Sequence, residues 1–314
     1  MFIKENIVFI LMKSIKNKHI FIVNHIKEKL LIIIILLFSI DMFCESMKKK
    51  INLVIPIASK DFAKIKINYK FYKKYVRGIK NIIFIGNEEV EKLIKKNNLI
   101  FEMKLKFINE KSLIDVDKIK HLIEKRNRTI VGKSGWYIQQ FLKMQYCQIC
   151  KEKYYLVWDC DTIPVKYVKM FNNEGKPFFD IKTEYHKPYF ITIKKLMPEL
   201  GKKNNYSFIS EHMLITTKMM KNLIKRIALN VSIPGDKWYE KVINSIDIED
   251  LPFSGFSEFE TYGTFINEYY NNSYVIRPWN SLRRGRVYYN HTSFTFKEAE
   301  NISKKYDAIS FENW

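Results

Sequence analysis

The sequence predicts an α/β fold built on a largely parallel sheet. Three observations predict it: continuous apolar runs such as "INLVIPIAS" (51–59), amphipathic stretches set between them, and polar or turn-forming residues where each run stops. A run that is apolar at every position suits a strand covered on both faces. Strands alternating with helices pair in parallel through right-handed crossovers.

The first strand, 51–59, gives way to a helix from about Phe62 to Val76. "NIIFIG" (81–86) is a second strand stopped at Gly86, and "EEVEKLIKKN" is a short helix. "FEMKLKFI" reads as a third strand, and "DVDKIKHLIEKR" as a helix with acids in its first turn and bases in its last. "SGWYIQQFLKMQYCQIC" continues as a helix, with Ile138, Phe141, Leu142, Gln145 and Ile149 on one face and Trp136, Gln139, Gln140 and Lys143 on another. "KYYLVWDCD" is the next buried strand, ending in Asp159 and Asp161.

Beyond it the alternation breaks down. "KPFFDIKTEYHKPYFITIKK", "NNYSFISEHMLITTKMMKNLIKRI" and "SYVIRPWN" mix short strands and helices with long loops. With no Gly/Pro/Ser-rich linker and no internal repeat, 47–314 reads as one domain. A nucleotide-type half covers about 50–165, and a mixed α+β, substrate-binding half covers 166–300.

The chain has 314 residues, 47% of them hydrophobic and 15% aromatic, enough for a large core. Lys+Arg outnumber Asp+Glu by 54 to 33, a formal charge of +21 that favours a polyanion, an anionic membrane face or a phosphorylated substrate. The lysines are scattered rather than blocked, and no helix-turn-helix, paired CxxC frame or RNP-like strand is present, so nucleic acid is not an expected partner. The cysteines are Cys44, Cys147, Cys150 and Cys160. "CQIC" lies late in the predicted helix with no second pair to complete a zinc site, so reduced cytosolic thiols are expected.

Residues 1–46 form a basic and hydrophobic extension. Its apolar run "LLIIIILLFSI" (30–40) is shorter than the roughly 20 residues of a membrane-spanning helix. Lysines precede it, and no small-residue cleavage site follows. Met47 begins "MKKKINLVIPIAS", a basic start running into a buried strand. A mis-read start and a membrane anchor both remain open. The expected location is cytoplasmic, with association to the inner face of the membrane as the anchored form.

Asp159 and Asp161 arrive at the carboxyl end of a strand, where ligands of open α/β sheets lie. Positions i and i+2 of a strand point to one side, so the pair could share one target. Two adjacent carboxylates repel unless a proton or cation joins them. Mn2+ or Mg2+ takes carboxylate oxygens and completes its shell with phosphate oxygens. The pair therefore reads as half of a metal site whose other half is a diphosphate.

In this setting "LVWDCD" resembles the DxD motif of glycosyltransferases with the GT-A fold. "GWYIQQFLK", "LVWDCDT", "FISEHMLI" and "FSEFETYG" together resemble the bacterial DUF6492 type of glycosyltransferase-like proteins over about residues 50–295. The resemblance implies a GT-A-like fold, a nucleoside-diphosphate sugar as donor and a glycan or lipid-linked acceptor. A haloacid-dehalogenase-like phosphatase also starts from a strand and DxD, with its first Asp as nucleophile and its second as general acid. Ile163 stands where that family has Thr or Val, and here the motif follows three strands. A non-catalytic sugar-binding protein is the other alternative.

The remaining candidates follow from residue type. Glu258 and Glu260 in "FSEFETYG" alternate with Phe256, Phe259 and Tyr262, as if on one side of an extended segment. Either carboxylate could act as general base toward an acceptor hydroxyl, and a capping acid at a helix start is the alternative. Glu211 or His212 could stand beside the acceptor, although a core histidine is favoured for His212. His291 could be a third metal ligand with Asp159 and Asp161, or structural. Ser59, Trp136 and Gln140 are expected at the nucleotide, with Asp159 reaching its ribose. Lys133, Lys143, Arg283, Arg284 and Arg286 are candidates to neutralise diphosphate, the "RRGR" cluster foremost because guanidinium groups clamp phosphate.

Overall fold

The computed structural model describes residues 51–97, 105–127 and 133–312, together with Lys29. The apolar run 30–40, the start at Met47 and the first residues of "FEMKLKFI" lie outside them. Among the described residues no helix is long and apolar enough to cross a membrane. Residue contacts divide the chain into 1–49 and 50–314, and every element named here belongs to the second unit.

The fold is α/β. Strands β1 (Ile51–Pro56), β2 (Ile79–Gly86), β3 (Leu105–Asn109), β4 (Tyr154–Trp158) and β7 (His212–Thr216) form a sheet in the order β3-β2-β1-β4-β7. All pairs are parallel except β4 with β7. Alternate side chains divide between two cores. Leu53, Ile55, Ile82, Phe84, Leu156 and Trp158 face α1 (Phe62–Tyr75) and α2 (Glu88–Lys96). Val54, Ile83, Ile85, Tyr155 and Val157 face the other way, toward α3 (Val116–Arg126) and α4 (Ser134–Gln145).

Asn87 and Asp115 cap α2 and α3 by accepting from Val90 and Lys118 amides. Gly86 allows the chain to pass close by, since a Cβ there would lie 2.7 Å from the Ile57 carbonyl oxygen. α4 ends at Gln145 and continues as a 3-10 turn, Tyr146–Gln148. This corrects the longer predicted helix: Cys147 sits in the turn, Cys150 follows it, and Ile149 is 48% exposed rather than on a core face.

The second half adds two small sheets. β6 (Phe178–Ile181) pairs with β8 (Val275–Pro278), and β10 (Ala308–Ser310) lies between β5 (Thr162–Pro164) and β9 (Ser281–Leu282). α5 (Lys187–Leu196), α6 (Thr217–Leu229), α7 (Trp238–Ser245) and α8 (Glu258–Tyr269) join the α3/α4 core. α9 (Phe296–Ser303) packs beside β5, β10 and Phe71 of α1. Strand order reverses between β1 and β4, so their carboxyl ends flank the crevice where α/β sheets bind ligands.

Candidate functional site

β4 stops at Trp158, and Asp159, Cys160 and Asp161 form a half-buried turn. The Asp159 amide donates to the Glu211 carbonyl at 2.8 Å, and Thr162 donates back to the Asp159 carbonyl at 3.1 Å. On the far side the Phe311 amide donates to the Asp161 carbonyl at 2.8 Å. The two carboxylates therefore belong to a pinned turn, not to a continuing strand, and they meet different partners.

Asp159 is paired with Lys143 of α4, whose ammonium also donates to Glu258 Oε1 at 2.6 Å. Lys143 is buried and lies 4.6 Å from the centre of the Phe259 ring. Burial works against its charge, but Asp159 and Glu258 outweigh it and hold the ammonium above its ordinary value. Asp161 makes no ion pair among the described residues. Burial, Asp159 and Glu312 push its carboxyl up to about 7.

His291 is buried, with its ring stacked on Phe311 at 4.2 Å between centroids. Its Nε2 is 2.7 Å from Asn68 Oδ1, while Nδ1 is buried with no partner. Burial and Lys64 lower its pKa to about 4, which keeps the imidazole neutral. Among the described residues no three His, Cys, Asp or Glu side chains are gathered closely enough to hold a metal by themselves. Mg2+ and Mn2+ commonly take one or two carboxylates and draw the remainder of the shell from phosphate and water. A carboxylate without an ion pair, linked through Phe311 to the ring of an orphaned, neutral imidazole, fits that requirement.

Glu258 and Glu260 open α8 behind the cap Ser257, which accepts from the Glu260 amide at 3.2 Å. This corrects the extended reading: two residues along a helix point to different sides. Glu258 faces Lys143, whereas Glu260 Oε1 accepts from Ser207 Oγ and its Oε2 has no partner. Burial raises the carboxyl of each. Tyr189 lies among them, its phenol pushed up by burial and by Glu258 and Glu184.

Glu211 has a positive φ of 60° and a buried side chain that accepts from Lys182, from Ser281 Oγ at 3.0 Å and from Trp279 Nε1 at 3.3 Å. These bonds hold the Glu211 carboxylate, expected beside the acceptor, within the protein. His212 lies between Trp158, on which it stacks, and Trp279, tilted at 56°, 4.4 Å from each, with its ring nitrogens on Asp180 and the Ser210 carbonyl.

Gln140 is also committed internally. Its Oε1 accepts from the Glu258 amide at 3.0 Å and its Nε2 donates to the Trp136 carbonyl. Ser59 is half-buried just past β1, and Lys133 and Trp136 are half-buried at the start of α4, with the ammonium 6.0 Å from the indole. Arg283 donates to Glu184 and Glu312, so the RRGR cluster is split: Arg284 and Arg286 are exposed, while Arg283 is tied down.

Sequence reasoning missed Asn68, Glu312, Lys182 and Glu184. Asn68 alone gave a signal, a polar side chain on the stripe Phe62, Ile65, Phe71 and Tyr72 that α1 buries.

The family described as "Family of unknown function (DUF6492)" matches residues 48–311. No curated protein matches the sequence. Among solved structures the chain is similar to mouse xyloside xylosyltransferase 1, at 13% identity and a TM-score of 0.43, over 83% of this chain and 97% of that one. It is also similar to an active-site mutant of LgtC, at 12% and 0.44, over 84% and 88%. A third is the glycosyltransferase GlyE of Streptococcus pneumoniae TIGR4, at 10% and 0.38, over 84% and 55%. Similarity of this size leaves the chemistry to be read from the site.

Proposed function

This chain belongs to the DUF6492 family, and from the chemistry of its DxD turn we propose that it is a metal-dependent glycosyltransferase. It would move a sugar from a nucleoside-diphosphate donor to a glycan or lipid-linked acceptor. One observation carries this reading: at the carboxyl end of the strand beside the sheet's reversal, Asp161 lacks an ion pair while His291, stacked on the Phe311 that holds the Asp161 carbonyl, keeps a buried nitrogen without a partner.

Asp161 and His291 would hold Mn2+ or Mg2+, with phosphate oxygens of the donor completing the shell, while Asp159 stays paired with Lys143. When bound, the ion supplies Lewis-acid stabilisation of the departing diphosphate. Lys143 fixes Asp159, and Ser59 and Trp136 would line the nucleotide side. Lys133 and Arg284 would balance phosphate charge. Of the three glutamates, Glu211 and Glu258 are held by lysines, so Glu260, with its unpartnered oxygen, is the candidate to take the proton of the acceptor hydroxyl. Arg286, exposed beside Val287 and Tyr288, suits approach to an anionic membrane face from the cytoplasm. The phosphatase alternative needs Asp159 as nucleophile, and the place of the motif after three strands favours the transferase.

The test is a panel of nucleotide sugars incubated with protein and Mn2+, read as released nucleoside diphosphate. The wild type should act on one donor class only with metal present. D161N should lose Mn2+-dependent nucleoside diphosphate binding in calorimetry while keeping its circular dichroism. E260Q should still bind donor but transfer about 10²- to 10⁴-fold more slowly. Undiminished binding by D161N removes the metal role, and an aspartyl-phosphate trapped at Asp159 would establish the phosphatase instead.

A further inference from the structure

We infer that Asn68, on α1, is a positioning residue that sets the tautomer and orientation of His291 so that its Nδ1 lone pair is presented to the cation; this rests on the metal reading above. The assignment follows from which atoms can donate. Asn68 Nδ2 lies 2.6 Å from the carbonyl oxygen of Cys160, inside the DxD turn, and a carbonyl only accepts. The amide nitrogen must therefore face Cys160, and Oδ1 must face the histidine.

Oδ1 also only accepts, so His291 Nε2, 2.7 Å away, carries the ring proton. Nδ1 is then left with its lone pair, and it is the nitrogen that is buried without a partner. A metal-binding imidazole has this arrangement, one nitrogen donating to a protein oxygen and the other bare. The ring is fixed in a second direction by Phe311, stacked on it at 4.2 Å, whose own amide holds the Asp161 carbonyl. One carboxamide thus reads the backbone of the turn on one side and orients the imidazole on the other. Asn68 is itself buried on α1, and Tyr72, one turn further along, donates to the Thr162 carbonyl at 3.2 Å, so the same face of α1 fixes the frame from which the amide acts.

The replacements separate the two contacts. Asn68→Ala removes both. Asn68→Asp keeps an acceptor for Nε2–H but cannot donate to Cys160, so it should preserve the tautomer.

The experiment labels histidine with 15N and reads the ring tautomers by NMR, then titrates Mn2+ alone, following the free-ion signal by electron paramagnetic resonance. In the wild type His291 should carry its proton on Nε2. Asn68→Ala should mix the tautomers and weaken Mn2+ binding by about 10- to 100-fold. His291→Ala should weaken it at least as much, and the double variant no further than His291→Ala alone, since Asn68 acts through the ring. Asn68→Asp should retain the single tautomer. A wild-type proton on Nδ1, or wild-type Mn2+ affinity in Asn68→Ala, overturns the inference and leaves the transferase reading standing. A wild type that binds no Mn2+ removes the metal reading and this inference with it.

Discussion

Lys143 shows how one buried side chain sets the state of two others. Asp159 and Glu258 both lean on its ammonium, and 3% of that side chain is exposed. Removing one partner of a buried pair typically costs about 3–5 kcal/mol, because the remaining charge is stranded. K143M should therefore lower stability in urea by that order, and K143M/E258Q should recover part of it by removing one of the stranded carboxylates. A K143M protein as stable as the wild type would show that the pair contributes nothing.

Asp180 responds to acid in the opposite sense from the glutamates. Burial alone would raise its carboxyl, yet hydrogen bonds from His212 and Arg277 outweigh it and hold it below the ordinary value. Such a group stabilises the fold above its unfolded value, about 3.9, and loses that contribution as pH falls through the lower folded value. D180N should be less stable than the wild type at pH 7, with the gap narrowing below about pH 4 in thermal melts. A gap independent of pH would mean that the carboxylate's charge plays no part.

Among the elements, α8 sets helix propensity against packing. Gly263 lies inside it, where alanine ordinarily gains about 1 kcal/mol. Here a Cβ would lie 2.2 Å from the Phe208 ring. Overpacking typically costs about 1–3 kcal/mol, so G263A should destabilise in urea, and a stabilised G263A would show that Phe208 can move aside.

The same helix marks where sequence reading stopped. β1, β2, β4 and α1–α3 were legible because apolar runs and helical spacing reflect burial directly. "FSEFETYG" was not: acids alternating with aromatics have the period of a strand. Ser257 followed by Glu260 is nevertheless a helix-start pattern, and Phe256, Phe259 and Tyr262 recur at helical spacing. In the site, the aspartates were legible as a pair that needed a cation. Lys143 as the holder of Asp159 was not, because one lysine among so many gives no sign of being buried.

For the whole molecule, the distant closures were the illegible part. β10 is the central strand of its sheet, between β5 and β9, and Phe311 and Glu312 follow it to the turn. Removing residues 304–314 should abolish Mn2+-dependent binding in calorimetry and lower the melting temperature. Wild-type affinity in the shortened chain would show that the turn keeps its shape unaided.

That closure also bears on when the protein becomes competent. Both aspartates are synthesised well before Phe311, whose amide fixes the Asp161 carbonyl. Pairing β5 with β10 closes a loop spanning most of the second half, and such long-range contacts are slow to form because closure entropy comes first. A nascent chain can therefore assemble the central strands β1 to β4 while its turn is still unpinned, so ligand capture follows the pairing of β5 with β10 rather than serving as a template for it.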